Sequence, residues 1–164
     1  MNKKQIAMLQ DIPLFQGFSV VGLKKFLKTF KHLPCKKGDI VFEEGAQEDS
    51  FFIVAQGFVV IEKKKDKAGK KFKRLAVLKK NDFFGEMAVI ERQPRFAQAR
   101  AMEDSDLFEL ERANLMAFIK ACPEDGMSLL IEIIRIVLKR LKSTSDELIA
   151  VQGFIDVLTK SKRN

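Results

Sequence analysis

The chain has 164 residues, 46% of them hydrophobic, enough for one compact domain with a core of ordinary size. Fifteen Phe with no Trp or Tyr supply large apolar volume without an indole or phenol to anchor polar contacts. A single histidine and two distant cysteines exclude a His/Cys zinc centre, whereas a net charge of +8 leaves room for an acidic or anionic partner.

No apolar run follows Met1-Asn2-Lys3-Lys4, so no signal peptide is expected and the chain reads as cytoplasmic. Cys35 and Cys122 form no CxxC pair. Reduced thiols are the simpler reading, with a disulfide between them as the alternative. His32 stands alone and lacks a second nitrogen ligand nearby.

Residues 1–31 carry helical periodicity, with Ile6 and Leu9, then Leu23, Phe26, Leu27 and Phe30, three and four apart. Pro13 in DIPLF marks a tight connection, and Ser19 is a candidate N-cap for the second helix.

From Leu33 to Glu111 the runs shorten and become rich in Val, Ile and Phe: DIVFEE, FFIVAQ, FVVIEKK, RLAVLKK, AQARAM and DLFELE. Turn residues punctuate them at Gly38-Asp39, Gly45, Gly57, Gly69 and Asn81-Asp82. Short strands at such spacing predict an antiparallel sandwich or barrel. Within the series, residues 62–74 (EKKKDKAGKKFKR) read as a lysine-rich hairpin. It is either a solvated surface or a docking surface for an acidic protein. Nucleic acid is disfavoured, because a single aromatic, Phe72, stands among the lysines for base stacking and no reading helix is attached.

One stretch departs from the strand texture: GEMAVIERQPRFA, residues 85–97. Residues 86–91 read as one or two helical turns. Gly85 lets the backbone approach a ligand closely, and the first N–H groups of a helix favour an anion. Arg95 offers a planar fork for a phosphate, and ionised Glu86 accepts from a hydroxyl. Together they suit a sugar phosphate. The alternative from spacing alone is a structural Glu86–Arg95 ion pair. Met87, Ala88, Val89 and Ile90 are expected to pack the turn onto the sheet.

RANLMAFIKA, residues 112–121, returns to helical spacing, and Pro123 ends it. A long helix then starts near Glu124. Leu130, Ile134, Val137, Leu141, Thr144, Leu148, Val151, Ile155 and Leu158 alternate four and three apart, which is a heptad seam. The helix is expected to reach about residue 152, where Gly153 weakens it. Alternatively it breaks at Ser143-Thr144-Ser145, with Thr144 and Glu147 as a capping box. The segment SLLIEIIRIVLKRL carries Glu132 and Arg135 and is too short and charged to span a bilayer.

GEMAVIERQPRFA resembles the phosphate-binding cassette of the cyclic nucleotide-binding domain family. It matches at Gly85, Glu86, Met87, Ala88, Val89, Ile90, Pro94, Arg95 and Ala97. Gly38-Asp39, Gly45 and Gly57 resemble the family's β-roll turns, so the resemblance covers roughly residues 10–150. It implies an α+β, mainly β fold: an antiparallel eight-stranded β-roll, or double-stranded jelly roll, flanked by N-terminal helices and a long C-terminal helix. It divides the chain into an N-terminal helical segment (1–31), the roll (32–122) with its cassette (84–97), and a lid and dimerisation helix with tail (123–164).

The same resemblance implies that Glu86 binds a ribose 2′-hydroxyl, that Arg95 binds the cyclic phosphate, and that backbone N–H groups near Gly85, Ala88 and Ala97 complete the site beside Met87. Phe96 stands where the family usually has Ala, Ser or Thr. The missing hydroxyl leans the site toward cAMP over cGMP, and the ring is expected to narrow the phosphate pocket. RLKSTSDEL, residues 140–148, resembles the stretch of the bacterial cAMP receptor proteins whose adjacent Thr and Ser bond adenine, here Thr144 and Ser145.

Twelve residues follow Gln152, too few for a helix-turn-helix. The expectation is a stand-alone, non-enzymatic sensor that dimerises through its C-terminal helix and acts on an unidentified protein partner. The rivals are a ligand-free interaction module of the same fold and a DNA-associated factor. No nucleophile–base pair or metal cluster argues for catalysis.

Overall fold

The computed structural model describes Leu9, residues 12–65 and residues 71–161. Ile6 and the tip of the lysine-rich hairpin lie outside the described residues. Pro13–Phe15 forms one 3-10 turn with proline at its first position, where no N–H is needed. The Ser19 hydroxyl accepts from Gly22 N–H at 2.9 Å and so caps α1 (Val20–Leu27), as its position predicts. Asp125, far along the chain, completes the cap. It accepts from Ser19 N–H at 2.6 Å and from the Ser19 hydroxyl at 3.0 Å. A Cβ on Gly22 would sit 1.6 Å from Asp125 Oδ2, so glycine there is a packing requirement.

Eight strands follow among the described residues: β1 (Lys31–Cys35), β2 (Ile40–Phe42), β3 (Ser50–Gln56), β4 (Val59–Lys64), β5 (Phe72–Leu78), β6 (Phe83–Phe84), β7 (Gln98–Ala101) and β8 (Ser105–Glu111). All pairings are antiparallel, in two four-stranded sheets ordered β1-β8-β3-β6 and β2-β7-β4-β5. The β-roll is therefore the observed fold. Two strands, β1 and β6, were not among the six runs of the sequence pattern. β1 contains Pro34, tolerated because β1 is an edge strand, and β6 is too short to show a period.

β3 explains the architecture. Its first six residues are buried, because it is covered on both faces. Phe52 and Val54 point into the roll, with Phe42, Val59, Phe84, Ala99, Ala101 and Leu107. Phe51, Ile53 and Ala55 point outward, beneath Phe15, Phe26, Leu27, Phe30, Phe118 and Leu129 of the helical layer. On the second sheet Gln98 and Arg100 alternate with the inward alanines and converge on Glu62. Arg100 donates to Glu62 at 2.8 and 3.0 Å and Gln98 at 3.0 Å, and the Arg100 hydrogen bonds hold that carboxyl below the usual carboxylate range.

Three helices complete the chain: α2 (Glu86–Glu91), α3 (Arg112–Ala121) and α4 (Pro123–Ser161). α4 runs 39 residues without a break, past both Ser143-Thr144-Ser145 and Gly153. Thr144 and Ser145 donate their hydroxyls to the carbonyls four residues back, at 3.1 and 3.0 Å. Those are mid-helix bonds, so the capping-box alternative does not hold. Leu129 and Ile133 anchor the first turns in the core, whereas residues 141–155 are all exposed.

Candidate functional site

Arg95 is the centre of the site. It is only 3% exposed, and its backbone is pinned to the β2–β3 turn by Gly45 N–H to Arg95 O (2.8 Å) and Arg95 N–H to Ala46 O (2.9 Å). Nη1 donates to Ser50 O at 2.6 Å and to Gly85 O at 3.1 Å, while Nη2 donates to the Ser50 hydroxyl at 3.2 Å and lies 3.5 Å from Glu48. The guanidinium stacks on Phe42, 4.1 Å from the ring centroid. Burial pushes its pKa below the ordinary guanidinium value, and Glu48 opposes that shift. Arg95 nevertheless remains a cation.

One donor is left over. Arg95 Nε is buried and has no hydrogen-bond partner. An unsatisfied buried donor costs about 1–3 kcal/mol, more on a charged group, so the arrangement suits a ligand acceptor rather than stability alone.

Gly85 makes this placement possible. Its φ is +82°, and a Cβ there would lie 2.7 Å from Arg95 Nη1 and 3.2 Å from Ser50 O. The glycine is required by the arginine's approach, a reason distinct from the close ligand approach its sequence position suggests.

Glu86 opens α2 directly after Gly85 and is mostly buried. Burial raises its carboxyl above the usual range, and the cations Arg140 and Arg95 pull it back. Its ion partner is Arg140 of α4, at 3.7 Å, while that of Arg95 is Glu48. The Glu86–Arg95 ion pair considered from spacing is therefore not formed. Arg140 Nη2 also donates to Phe83 O at 2.6 Å, which fastens α4 to the mouth of the roll.

These residues border a cavity of about 520 Å³. Its floor is Phe42, Phe84, Leu78 and Ile61. Gly85, Glu86, Met87, Ala88, Arg95, Phe96 and Ala97 form one wall, and Arg140, Ser143, Thr144 and Glu147 form the other. The last four recur at helical spacing on one face of α4. The cavity thus offers a buried cation, a mostly buried carboxylate, apolar surface and two hydroxyl-bearing residues, Ser143 and Thr144.

Two expectations need correction. Ser145 does not line the cavity, because one residue turns the helix about 100° away from Thr144. Of the four residues expected to pack α2 onto the sheet, only Ala88 and Val89 are buried, while Met87 (45%) and Ile90 (57%) are exposed. Phe96 borders the cavity, with its ring 54% exposed and Lys63 Nζ 3.4 Å from its centroid.

Ser50, Glu48 and Arg140 were missed from sequence. Ser50 alone left a trace, as the one hydroxyl opening a buried apolar run.

Comparison with known proteins accords with this geometry. The family model described as "Cyclic nucleotide-binding domain" matches residues 33–122. The chain is 30% identical over 115 residues to the cyclic AMP receptor protein of Thermus thermophilus, covering 70% of this chain and 52% of that one. It is 27% identical over 117 residues to a putative potassium channel protein of Rhodopseudomonas palustris, covering 71% of this chain and 27% of that one. The crystal structure of the Thermus thermophilus catabolite activator protein superposes with a TM-score of 0.71 at 26% identity, covering 85% of this chain and 63% of that one. The chain thus spans about half of one curated relative and about a quarter of the other.

Proposed function

Because the chain belongs to the cyclic nucleotide-binding domain family, we propose that it is a cyclic nucleotide sensor that prefers cAMP and relays binding through α4. The observation that carries this reading is the buried Arg95, a cation with one unpaired donor, among the residues that border a cavity together with Glu86. Arg95 would hold the cyclic phosphate, and Glu86 would accept from the ribose hydroxyl. Gly85, Met87, Ala88 and Ala97 frame the phosphate, and Thr144 is the hydroxyl on the α4 wall for the base. The lack of a hydroxyl at Phe96 supports cAMP over cGMP.

A nucleotide contacting both walls would favour the state in which cassette and α4 are together, by the difference in its affinity for the two states. Thr144 also belongs to the heptad row, whose members Ile134, Leu141, Leu148, Val151, Ile155 and Leu158 are each at least half exposed. A row of that length supports pairing with the same helix of a second copy. Through that pairing, or through a protein partner at the same surface, cavity and interface would be linked. The alternative is a ligand-free interaction module of the same fold: Phe96, which borders the cavity, is its best support, and the 54% exposure of that ring counts against a closed pocket.

Thermal unfolding with and without nucleotide tests the proposal. A ligand at about a hundred times its Kd adds about 2.7 kcal/mol of apparent stability, which raises the midpoint by several degrees. An unchanged midpoint at millimolar cAMP and cGMP contradicts it.

A further inference from the structure

Lys63 has no part in the site as described so far. It lies two residues after Ile61 on β4 and so on the same face of the strand, since Glu62 between them turns to Arg100; Ile61 borders the cavity, and Lys63 stands outside its lining, against Phe96. Its ammonium stands 3.4 Å from the centroid of Phe96, the residue next to Arg95. Phe96 borders the cavity yet is 54% exposed, so burial does not account for a large aromatic there. Among the described residues no carboxylate forms an ion pair with Lys63.

A lysine head on a flexible four-carbon stem ordinarily ranges through solvent. A ring face restrains it by attraction between cation and π cloud. The ammonium has three N–H donors, and a ring beneath it leaves donors free for oxygen acceptors. The result is a cation held at the rim beside the residue that takes the phosphate.

We propose that Lys63, held on Phe96, is a second phosphate-binding cation that sets affinity for the nucleotide. Arg95 acts from the cassette wall of the site and Lys63 from beside Phe96 at its edge. Phe96 is then a platform for a charged contact in place of the small or hydroxyl-bearing residue usual at that position. Because this contact addresses only the phosphate, it strengthens cAMP and cGMP alike and does not discriminate between bases. The proposal rests on the cyclic nucleotide reading above.

The test is calorimetric titration of cAMP and cGMP into the wild-type chain and the variants Lys63→Gln, Lys63→Arg, Phe96→Ala and Lys63→Gln/Phe96→Ala, at low and high salt. Lys63→Gln should weaken both nucleotides about tenfold, the worth of one well-placed charge contact near 1.4 kcal/mol. It should also flatten the salt dependence, since a charge at the rim is screened. Lys63→Arg should stay within about threefold, because it keeps both cation and stacking. Phe96→Ala should weaken binding, and the double variant should bind no worse than Lys63→Gln alone, as expected of two residues acting as one unit. Lys63→Gln binding at wild-type affinity with the same salt dependence overturns the proposal, as does tighter binding by Phe96→Ala. In those cases wild-type binding leaves the sensor reading standing. Absence of binding by the wild type overturns both.

Discussion

Arg140 and Glu86 face each other at 3.7 Å across the boundary between α4 and the cassette, and the same guanidinium donates to Phe83 O at 2.6 Å. The carboxylate assigned to the ligand is thus also the one that touches the long helix. Arg140 is a polar link by which α4 reaches the mouth of the roll, one turn beyond Ile136, the last of its residues packed against the apolar core.

Arg140→Gln should loosen this link. Amide exchange in α4 over residues 137–147 should speed up while β3 stays protected, since local opening leaves the central strand intact. Nucleotide affinity should fall about tenfold, a loss of about 1–2 kcal/mol for a partly buried ion pair and one charged hydrogen bond. Unaltered exchange in that segment would show that α4 is held by its apolar turns alone.

Gly85→Ala should damage both stability and binding. The new Cβ must displace Arg95 Nη1 or Ser50 O while the residue holds a φ of +82°. Together these effects should lower stability by about 2 kcal/mol, and the thermal midpoint accordingly. The companion change Gly45→Ala meets no atom within 4 Å and carries only the φ penalty. A larger loss at Gly45 than at Gly85 would contradict the Arg95 packing argument.

The pH dependence of binding should come from Glu86. Its carboxyl titrates above the usual range because it is buried. Only the ionised form accepts from a ligand hydroxyl by both oxygens, so affinity should fall as pH drops through that raised pKa. The sign for folding is opposite. The folded chain binds the Glu86 proton more readily than the unfolded chain. This group's contribution to stability therefore falls as pH rises from the unfolded pKa to the folded one. Glu86→Gln should bind more weakly at neutral pH and lose the acid-side decline. A decline that persists in that variant would assign it elsewhere.

Leu141 is 61% exposed at the middle of the heptad row. If the row pairs two copies, Leu141→Glu should convert a dimer to a monomer in sedimentation velocity with no loss of thermal stability in the roll. A chain that sediments as a monomer before the change would remove the dimer from the proposal.

Much of the fold was legible because its signals are local. Six strands show as short apolar runs between turn residues, and Ser19 and Pro13 mark their own positions. β1 was hidden by Pro34 and β6 by its two-residue length. The length of α4 was understated, since serine, threonine and glycine lower helix propensity while their hydroxyl back-bonds and open surroundings leave the helix unbroken. In the site, the spacing of Gly85, Glu86 and Arg95 was visible along the chain. Their real partners were not, because Glu48 and Ser50 come from the β2–β3 connection and the start of β3, distant in sequence, and Arg140 comes from another helix. Phe96 meets Lys63 of β4, a contact that no local pattern encodes.

The most direct measurement is calorimetric titration of cAMP and cGMP into the nucleotide-free chain and into Arg95→Gln. The account predicts micromolar or tighter binding of cAMP, weaker binding of cGMP, and a loss of at least about a hundredfold in Arg95→Gln, as expected when a buried charged phosphate contact worth about 3 kcal/mol is removed. Wild-type affinity for cAMP in a folded Arg95→Gln variant would contradict the assignment of Arg95 to the phosphate, and with it the sensor built around that residue.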